Sequence, residues 1–139
     1  MADSLRTVIA YADGASRGNP GPSSFGAVVY DKSGEEIRTV SRAIGYGTNN
    51  QAEYQGAIAA LEAALELGAR EIELHMDSQL VVRQLEGRYR VRNAKLIPLY
   101  RQLLALKGRF ERVSVRHVPR EENKVADRLA NEALDGLNA

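Results

Sequence analysis

Three strand-like segments precede the first helical segment of this chain, and this order restricts the folds that are open to it. The predicted strands are residues 5–13, 24–31 and 35–46. A turn-rich loop at 14–22 separates the first two strands, and a tight turn at Lys32–Gly34 separates the last two. Strands joined by such short turns pair in antiparallel fashion, so we expect the chain to begin with an antiparallel meander.

Helices and strands alternate through the rest of the chain. A long helix is expected to begin at a cap on Thr48 or Asn49 and to stop at Gly68. A strand, a short helix, a helix with Pro98 near its start, a strand and a last helix are then expected at 71–77, 78–86, 93–107, 110–118 and 121–137. A meander followed by strand–helix alternation predicts an α/β fold with a mixed sheet.

The first and last of these helices each carry an apolar stripe that we expect to face the sheet. The stripe of the long helix is formed by Tyr54, Ile58, Leu61 and Leu65. The stripe of the last helix is formed by Val125, Leu129, Ala133 and Leu137. Small residues such as Gly56 and Ala60 are expected to let the long helix lie close to the sheet.

The residue inventory excludes several kinds of site. The chain has no cysteine and only two histidines, His75 and His117, which argues against thiol catalysis, disulfides and zinc sites. A bound metal must then be held mostly by oxygen atoms, which favours Mg²⁺, Mn²⁺ or Ca²⁺. No apolar run reaches the length of a membrane helix, so we expect a cytoplasmic protein with no membrane partner. The length of 139 residues fits one domain, residues 1–139.

Charge is distributed unevenly along the chain, although its net charge is only +1. Residues 1–82 carry 6 basic and 11 acidic side chains, whereas residues 83–124 carry 12 basic and 4 acidic ones. A basic segment beside acidic ones is typical of a protein that docks a polyanion next to a carboxylate site. One solvated basic helix face explains the same charges equally well, so charge alone leaves both interpretations open.

Four carboxylates stand at the ends or first turns of predicted elements: Asp13, Glu53, Asp77 and Asp127. Each alone has an ordinary explanation, as part of a turn, a helix cap, a partner of a helix dipole or a solvated residue. If they converge at one edge of the sheet, their mutual repulsion requires a compensating cation. Two divalent ions held in this way can support phosphodiester hydrolysis. Spacing alone does not establish that they converge.

Each of the four carboxylates lies in a distinctive local segment. Asp13 lies in Tyr-Ala-Asp-Gly-Ala-Ser-Arg-Gly-Asn-Pro-Gly-Pro, and Glu53 lies in Thr-Asn-Asn-Gln-Ala-Glu-Tyr. Asp77 begins Asp-Ser-Gln, and Asp127 lies in Asn-Lys-Val-Ala-Asp-Arg-Leu-Ala. In this order, from about residue 7 to residue 134, the segments resemble the four blocks of the type 1 ribonuclease H family.

The resemblance implies a ribonuclease H-like fold, whose five-stranded mixed sheet has the order third, second, first, fourth and fifth strand. It implies a metal-dependent endoribonuclease that hydrolyses the RNA strand of RNA–DNA hybrids and leaves 5′-phosphate and 3′-hydroxyl ends. It also implies that Asp13, Glu53, Asp77 and Asp127 bind two Mg²⁺ ions in the catalytic complex, with Asp13 bridging both. Mn²⁺ is expected to substitute for Mg²⁺.

Further residues gain expected roles from the same resemblance. His117 matches a mobile histidine that assists proton transfer or product release, whereas His75 is expected to be structural. Minor-groove contacts are expected from Asn19, Asn49, Asn50 and Gln79, a DNA-phosphate pocket from Thr48 and Asn93, and backbone contacts from Gly14 and Ala15. Amide side chains suit a 2′-hydroxyl because they both donate and accept hydrogen bonds. Asn123 and Glu62 match positions near the active centre.

One part of the family pattern is absent from this chain. Many members insert a basic protrusion that contains Trp, but this chain has no Trp, and only 15 residues separate Asp77 from Asn93. It therefore resembles the compact, protrusion-free branch of the family. The residues expected to replace part of the missing basic surface are Arg88, Tyr89, Arg90 and Arg92. Tyr89 is available there for stacking.

The expected partner is an RNA–DNA hybrid, bound by a monomer. Some compact members resemble enzymes that act on RNA–RNA duplexes, so the duplex preference stays open. Two other functions also stay open: an inactive module that binds hybrids, and a DNA nuclease of the same fold, such as a Holliday-junction resolvase or an integrase core. The presence of all four carboxylates disfavours the first, and the Asn-Asn-Gln and Asp-Ser-Gln segments disfavour the second.

Overall fold

The computed structural model describes residues 5–136, in which five strands form one mixed sheet. The strands are β1 (Thr7–Ser16), β2 (Gly21–Tyr30), β3 (Glu36–Gly47), β4 (Glu71–Met76) and β5 (Arg112–His117). The helices are α1 (Asn49–Glu66), α2 (Gln79–Leu85), α3 (Ile97–Lys107) and α4 (Lys124–Gly136), and a 3₁₀ turn covers Arg120–Glu122. The predicted α/β class is confirmed.

The strands lie in the order β3-β2-β1-β4-β5. β2 runs antiparallel to β1 and β3, whereas β1, β4 and β5 run parallel to one another. This strand order is the one expected of a ribonuclease H-like fold. Because β1 and β4 are parallel neighbours, their carboxyl ends reach the same edge of the sheet, where open α/β sheets place their ligand sites.

The first hairpin is longer than the sequence predicted. Residues 14–16 were expected in a loop, but they pair with residues 23–25 of β2. The buried hydroxyl of Ser23 is satisfied there, since it lies 3.0 Å from the hydroxyl of Ser16 and donates to the Gly21 carbonyl at 2.9 Å. Strand β1 therefore continues through small residues whose hydroxyl groups are hydrogen-bonded within the hairpin, in a segment where composition alone favoured a turn.

Helix α1 is fixed at both ends by its sequence. The Thr48 side chain accepts from the Gln51 backbone N–H, and the Gln51 side chain accepts in return from the Thr48 N–H, which is a capping box. Gly68 ends the helix with φ near +88°, a conformation that glycine adopts without a steric penalty. The start and stop predicted for this helix are confirmed. A strong N-terminal cap matters here because the first turns of α1 carry Asn49 and Glu53.

The later helices differ from prediction in detail. Helix α3 begins at Ile97, with Pro98 in its first turn, so the proline marks a late start. In α4 the buried residues are Ala126, Leu129, Ala130 and Leu134. Of the predicted stripe only Leu129 is buried, Val125 and Ala133 are half-buried, and Leu137 lies outside the described residues. The 3₁₀ turn delays the helix to Lys124, and its inner face is the one that packs against Gly26 of β2.

The core lies mainly between the sheet and the helices α1, α2 and α3. Its β4 residues are Ile72, Leu74 and Met76, which alternate on one face as predicted. Tyr54, Ile58 and Leu61 of α1 are buried, and Leu65 packs at the margin. Within residues 5–136 no helix is both long enough and apolar enough to cross a membrane.

Candidate active site

Two of the predicted site carboxylates emerge side by side from neighbouring strands. Ala12 of β1 lies opposite Met76 of β4 in the parallel register. The next residues, Asp13 and Asp77, therefore leave the sheet together at the edge where both strands point. Asp13 is part of the extended β1 strand, so the alternative that it belongs to a turn with Gly14 is wrong. The cap of α2 is Ser78 rather than Asp77.

Glu53 reaches the same point from helix α1. The helix lies so close to β1 that a Cβ placed on Gly14 would collide with the backbone of Ala52 and Glu53. A Cβ on Gly56 would lie 3.0 Å from the carbonyl oxygen of Asp13. Glycine at these two positions thus allows the first turns of α1 to rest on the strand, which brings the Glu53 carboxylate to Asp13.

Asp13, Glu53 and Asp77 form a compact acidic cluster, in which one oxygen atom of each residue lies within 4.8 Å of the others. Burial, followed by the charge of Asp77, raises the pKa of Asp13 to about 7. Burial and then the charge of Asp13 raise the pKa of Glu53 well above its ordinary value. The Glu53 Oε2 atom is buried and has no hydrogen-bond partner. The protein alone therefore gives this oxygen atom no partner that would stabilise the ionised form of Glu53.

Asp127 approaches this cluster from α4 and lies beside Asp13. Its carboxylate raises the pKa of Asp13 through a hydrogen bond and through its charge, after the larger effects of burial and Asp77. Asp127 itself is oriented by the Asn131 amide, which donates to its Oδ1 atom at 3.3 Å and to its carbonyl oxygen at 2.9 Å. It lines the same cleft as the other three carboxylates but is not part of the mutual 4.8 Å cluster.

The donor set of this cluster fits a hard divalent cation. All the available ligand atoms are carboxylate oxygens, the type that Mg²⁺ and Mn²⁺ prefer. A cation placed among them would stabilise the ionised forms of Asp13 and Glu53 and would give the orphaned Oε2 atom of Glu53 a partner. The residues present therefore fit a metal site by charge, by donor type and by the unsatisfied buried oxygen.

Polar groups surround the carboxylates in a cleft of about 460 Å³. Its lining residues are Asp13, Gly14, Ala15, Ser16, Asn49, Asn50, Glu53, Asp77, Ser78, Arg120, Asp127 and Asn131. Four residues predicted to contact substrate are among these lining residues: Gly14, Ala15, Asn49 and Asn50. Asn19 lies next to them, since its Oδ1 atom accepts from the Asn49 N–H at 3.1 Å.

Three other residues predicted to contact substrate lie outside this lining. Thr48 caps α1, directly before Asn49. Gln79 is exposed at the start of α2, and Asn93 is exposed in the connection that leads to α3. The Asn93 side chain accepts from the Lys95 N–H at 2.8 Å and shapes that connection.

The histidines and two further matched positions have distinct surroundings. His117 is exposed at the end of β5, beside Met76 in the register, and does not line the carboxylate cleft. His75 is half-buried, with its Nε2 atom 2.8 Å from Glu73. Asn123 is buried and donates to the Ala12 carbonyl at 3.0 Å, which ties the start of α4 to the strand that carries Asp13. Glu62 lies instead beside β3.

Sequence reasoning missed several residues of the cleft, most notably Arg120. Arg120 is the one basic residue in the lining, as far as residues 5–136 show. It begins the 3₁₀ turn between β5 and α4, whereas the sequence left residue 120 between the strand predicted at 110–118 and the helix predicted at 121–137. The only available signal was its position in the basic segment, seven residues before Asp127. Ser16, Ser78 and Asn131 gave no such signal.

The strand order and the carboxylate cleft at the ends of β1 and β4 define a protein of the ribonuclease H-like class. A family model described as "Reverse transcriptase-like" matches residues 11–133. The chain belongs to the type 1 ribonuclease H family, as its sequence segments indicated. Membership in this family implies dependence on a divalent metal.

Individual relatives agree with this assignment. A "bifunctional protein" of Mycobacterium tuberculosis is 50% identical over 129 residues, which are 92% of this chain and 35% of that protein. The chain thus spans about a third of the length of its mycobacterial relatives. The crystal structure of RNase H1 from Halobacterium salinarum matches with a TM-score of 0.91 and 48% identity, covering 94% of this chain and 98% of that one.

One solved structure contains a nucleic acid. The crystal structure of LC11-RNase H1 in complex with an RNA/DNA hybrid has a TM-score of 0.91 and 39% identity to this chain. The match covers 95% of this chain and 99% of the other.

Proposed function

We propose that this chain is a metal-dependent endoribonuclease that hydrolyses the RNA strand of RNA–DNA hybrids and leaves 5′-phosphate and 3′-hydroxyl ends. The observation that carries the proposal is the buried cluster of Asp13, Glu53 and Asp77 beside the amides of Asn49 and Asn50. The cluster supports phosphodiester chemistry, and the amides support recognition of RNA. Ribonuclease H relatives and a related structure bound to a hybrid support the same substrate.

Asp13, Glu53, Asp77 and Asp127 would hold Mg²⁺, with two ions in the catalytic complex and Mn²⁺ as a substitute. When bound, such ions lower the pKa of water and offset the charge that develops on the phosphate oxygens. Asp13 is the most central ligand, because both the Glu53–Asp77 cluster and Asp127 adjoin it.

The chain's own polar groups orient the substrate around these carboxylates. Asn49 and Asn50 present amides that donate to and accept from a 2′-hydroxyl in the minor groove. Arg120 places a positive charge in the cleft, where it attracts the scissile phosphate. His117 stands at the same sheet edge as Asp77, from which it assists proton transfer or product release. Gln79 and Asn19 extend the minor-groove contacts, and Gly14 and Ala15 add backbone contacts.

A panel of labelled duplexes tests the proposal directly. One sequence is prepared as an RNA–DNA hybrid, an RNA duplex and a DNA duplex, and each is incubated with the chain in Mg²⁺ or Mn²⁺. Internal cleavage of the hybrid RNA strand with 5′-phosphate products is the expected result. Cleavage of the DNA duplex alone would show that the chain is a DNA nuclease and not a ribonuclease. Binding of the hybrid without cleavage would indicate an inactive binding module. Cleavage of the RNA duplex would widen the substrate range.

Metal binding is expected to raise the melting temperature of the chain at pH 8. At a metal concentration of 100 times Kd, the stabilisation is about 2.7 kcal/mol. The shift should shrink at pH 6, because the pKa of Asp13 is raised to about 7 and protons then compete with the metal. Differential scanning fluorimetry in EDTA, MgCl₂ or MnCl₂ measures the shift. An equal shift produced by KCl at matched ionic strength would show that no site is involved.

Charge reversal of Arg88, Arg90 and Arg92 is expected to raise KM for the hybrid far more than it lowers kcat. The three arginines are exposed beside Tyr89, whose hydroxyl accepts from Arg83 at 2.7 Å and whose ring lies under that guanidinium. Each lost phosphate contact reduces the salt dependence of binding by a slope of about 0.9. Steady-state kinetics at two salt concentrations measures this effect. An unchanged KM at physiological salt would contradict it.

The chain is further proposed to act as a monomer in the cytoplasm, with residues 1–139 forming one ribonuclease H domain. The described elements support the domain proposal because all five strands belong to one sheet. Light scattering of the purified chain tests the oligomeric state, and fractionation of cells tests the location.

A further inference from the structure

A second cavity lies on the α4 side of the sheet, next to the start of that helix. It has a volume of about 380 Å³ and is formed by β1, the end of β2 and the segment that joins β5 to α4. Val8, Ala10 and Ala12 of β1 belong to the core, so the alternating residues Ile9 and Tyr11 face the other way, into this cavity. A cavity of this size is typical of small-molecule sites, and the function proposed above uses none of its lining residues.

The cavity is open because α4 covers only part of the sheet. Gly26 of β2 lies under the start of the helix, and the Ser41 hydroxyl of β3 donates to the Leu129 carbonyl at 2.6 Å. The helix therefore runs over β2 and β3 and leaves part of β1 uncovered. Tyr11 is only half-buried there, so its ring presents surface to a ligand.

Two tyrosine rings form adjacent walls of this cavity. The ring planes of Tyr11 and Tyr30 are 89° apart, and their centroids are separated by 5.9 Å. Rings at right angles enclose a corner, and the negative faces of aromatic rings attract ammonium groups. The His75 ring supports Tyr11 from β4, with 4.5 Å between the two centroids. The corner therefore exists before any ligand arrives.

Carboxylates outnumber ammonium groups around this corner. The charged residues of the lining are Glu121, Glu122 and Lys124, as far as residues 5–136 show, and all three are exposed. Burial, followed by the charges of Glu122 and Glu73, raises the pKa of Tyr11. The electrostatic potential at this ring is thus negative, which favours a cation.

The basic residues near the cavity do not reverse this balance. Lys124 stands against two glutamates in the lining. Arg128 lowers the pKa of Tyr30, but burial and the charge of Glu36 raise it by more. The Arg128 guanidinium also lies 3.5 Å from the Glu132 carboxylate. An anion would therefore meet a net negative lining.

A buried hydrogen-bond acceptor at the cavity has no partner. Asn123 belongs to the lining and is only 1% exposed. Its amide nitrogen donates to the Ala12 carbonyl at 3.0 Å, whereas its Oδ1 atom has no hydrogen-bond partner. An unsatisfied buried acceptor destabilises a protein. A ligand that carries an N–H group into the cavity would supply the missing donor.

We infer that this cavity binds a small organic ammonium ion that retains at least one N–H group, an inference that does not depend on the proposed function. The rings of Tyr11 and Tyr30 cover the alkyl groups of the ion. Glu121 and Glu122 balance its positive charge. Its N–H group donates to the Oδ1 atom of Asn123.

The 3₁₀ turn joins this cavity to the carboxylate cleft. Arg120 of the turn lines the cleft, whereas Glu121 and Glu122 line the cavity. An ion held by the two glutamates therefore also restricts the turn that positions Arg120. The amide signal of Arg120 should respond to the ion together with those of the cavity.

An NMR titration of the isotope-labelled chain tests the inference without nucleic acid. The probes are dimethylethanolammonium, choline and a neutral isostere in which C–H replaces the N–H⁺ group. Dimethylethanolammonium, added in the presence of MgCl₂, should shift the amide signals of residues 120–126 to saturation. Choline, which has no N–H group, should bind about tenfold more weakly, and the neutral isostere should bind more weakly still.

Substitutions in the cavity separate the contributions of ring and charge. Tyr11→Leu should weaken binding of dimethylethanolammonium by about two- to fivefold, whereas Tyr11→Phe should keep it, because the ring makes the contact. Glu121→Gln combined with Glu122→Gln should weaken it by about fivefold. Glu86→Gln is the matched control, because Glu86 is exposed at the end of α2, which packs on the other face of the sheet.

Several results would overturn the inference. Shifts confined to Asn49, Asn50 and Glu53 would place the cation in the carboxylate cleft. Equally tight binding of choline or of the neutral isostere would remove the role of the N–H group or of the charge. Saturable shifts of residues 120–126 with acetate alone would assign the cavity to an anion. None of these results bears on hybrid cleavage, and a chain that binds the ion but cleaves no hybrid would overturn only the proposed function.

Discussion

Asp13→Asn is expected to abolish hybrid cleavage while it stabilises the metal-free protein. Asp13 is the carboxylate that adjoins all the other acidic groups of the site. The activity should therefore fall by more than the roughly 10- to 100-fold that is lost when only a partner of a metal ligand is removed. The amide keeps the size of the side chain and removes its charge, so the loss reports charge rather than packing.

The stability gain of this variant should depend on pH in a defined direction. Folding raises the pKa of Asp13 from 3.8 to about 7, so the native state binds more protons than the unfolded state between these two values. The stability of the wild-type protein therefore falls as pH rises through this window and levels off above it. The upper limit for such a shift is about 4 kcal/mol, and the like-charged neighbours share part of it.

Urea denaturation in EDTA at pH 5.5, 7 and 8.5 measures this effect. Asp13→Asn should be more stable than the wild-type protein at pH 8.5, and the difference should fall to about half at pH 5.5, which is midway between the unfolded and folded pKa values of Asp13. Asp31→Asn is a matched control, since Asp31 carries the same charge at the surface of the β2–β3 turn and should give no gain at high pH. Equal stabilities of Asp13→Asn and the wild-type protein at pH 8.5 would show that the cluster is not strained by its charge.

Gly14→Ala is expected to reduce stability and activity together. The added Cβ would collide with the backbone of Ala52 and Glu53, which no side-chain rotation can relieve. Overpacking of this kind costs about 1–3 kcal/mol, and more where only backbone can move. Helix α1 must shift away from β1, which carries Glu53 away from Asp13. Chemical denaturation and the hybrid cleavage assay measure the two effects.

Gly136→Ala provides the control for this substitution. It makes the same chemical change at the end of α4, where an added Cβ meets nothing within 4 Å. Both stability and activity should stay close to those of the wild-type protein. If Gly14→Ala proved as harmless as Gly136→Ala, helix α1 would not be seated on β1 as tightly as the structure places it.

The sequence predicted the secondary-structure elements better than it predicted which of them pack side by side. The strand at 71–77 and the helix after Thr48 follow from local patterns, namely alternating apolar residues and a cap. That Asp13 and Asp77 lie side by side depends on the parallel register of β1 and β4, which pairs residues more than sixty positions apart. No local pattern encodes such a pairing, and the resemblance to a family supplied it.

Other features escaped prediction because their causes are tertiary. The 3₁₀ turn determines the residue at which α4 begins, and the space over Gly26 determines which face of α4 packs against the sheet. The spacing of apolar residues along the helix reveals neither of these. The burial that raises the pKa values of Asp13 and Glu53 also depends on α1 lying on β1. Arg120 also lies in the cleft because of tertiary structure, since the 3₁₀ turn between β5 and α4 places it there. In the sequence it was only one of the many basic residues of the segment 83–124.

The capping box that begins α1 has a consequence for which duplexes fit. Because the capping box of Thr48 and Gln51 fixes the first turn and the close approach at Gly14 seats it on the sheet, Asn49 and Asn50 are held in one position relative to the carboxylates. The minor groove of B-form DNA is only about 6 Å wide, whereas that of A-form helices is wide and shallow. If the proposed function holds, we therefore expect a B-form DNA duplex to fit this fixed arrangement less well than an RNA–DNA hybrid.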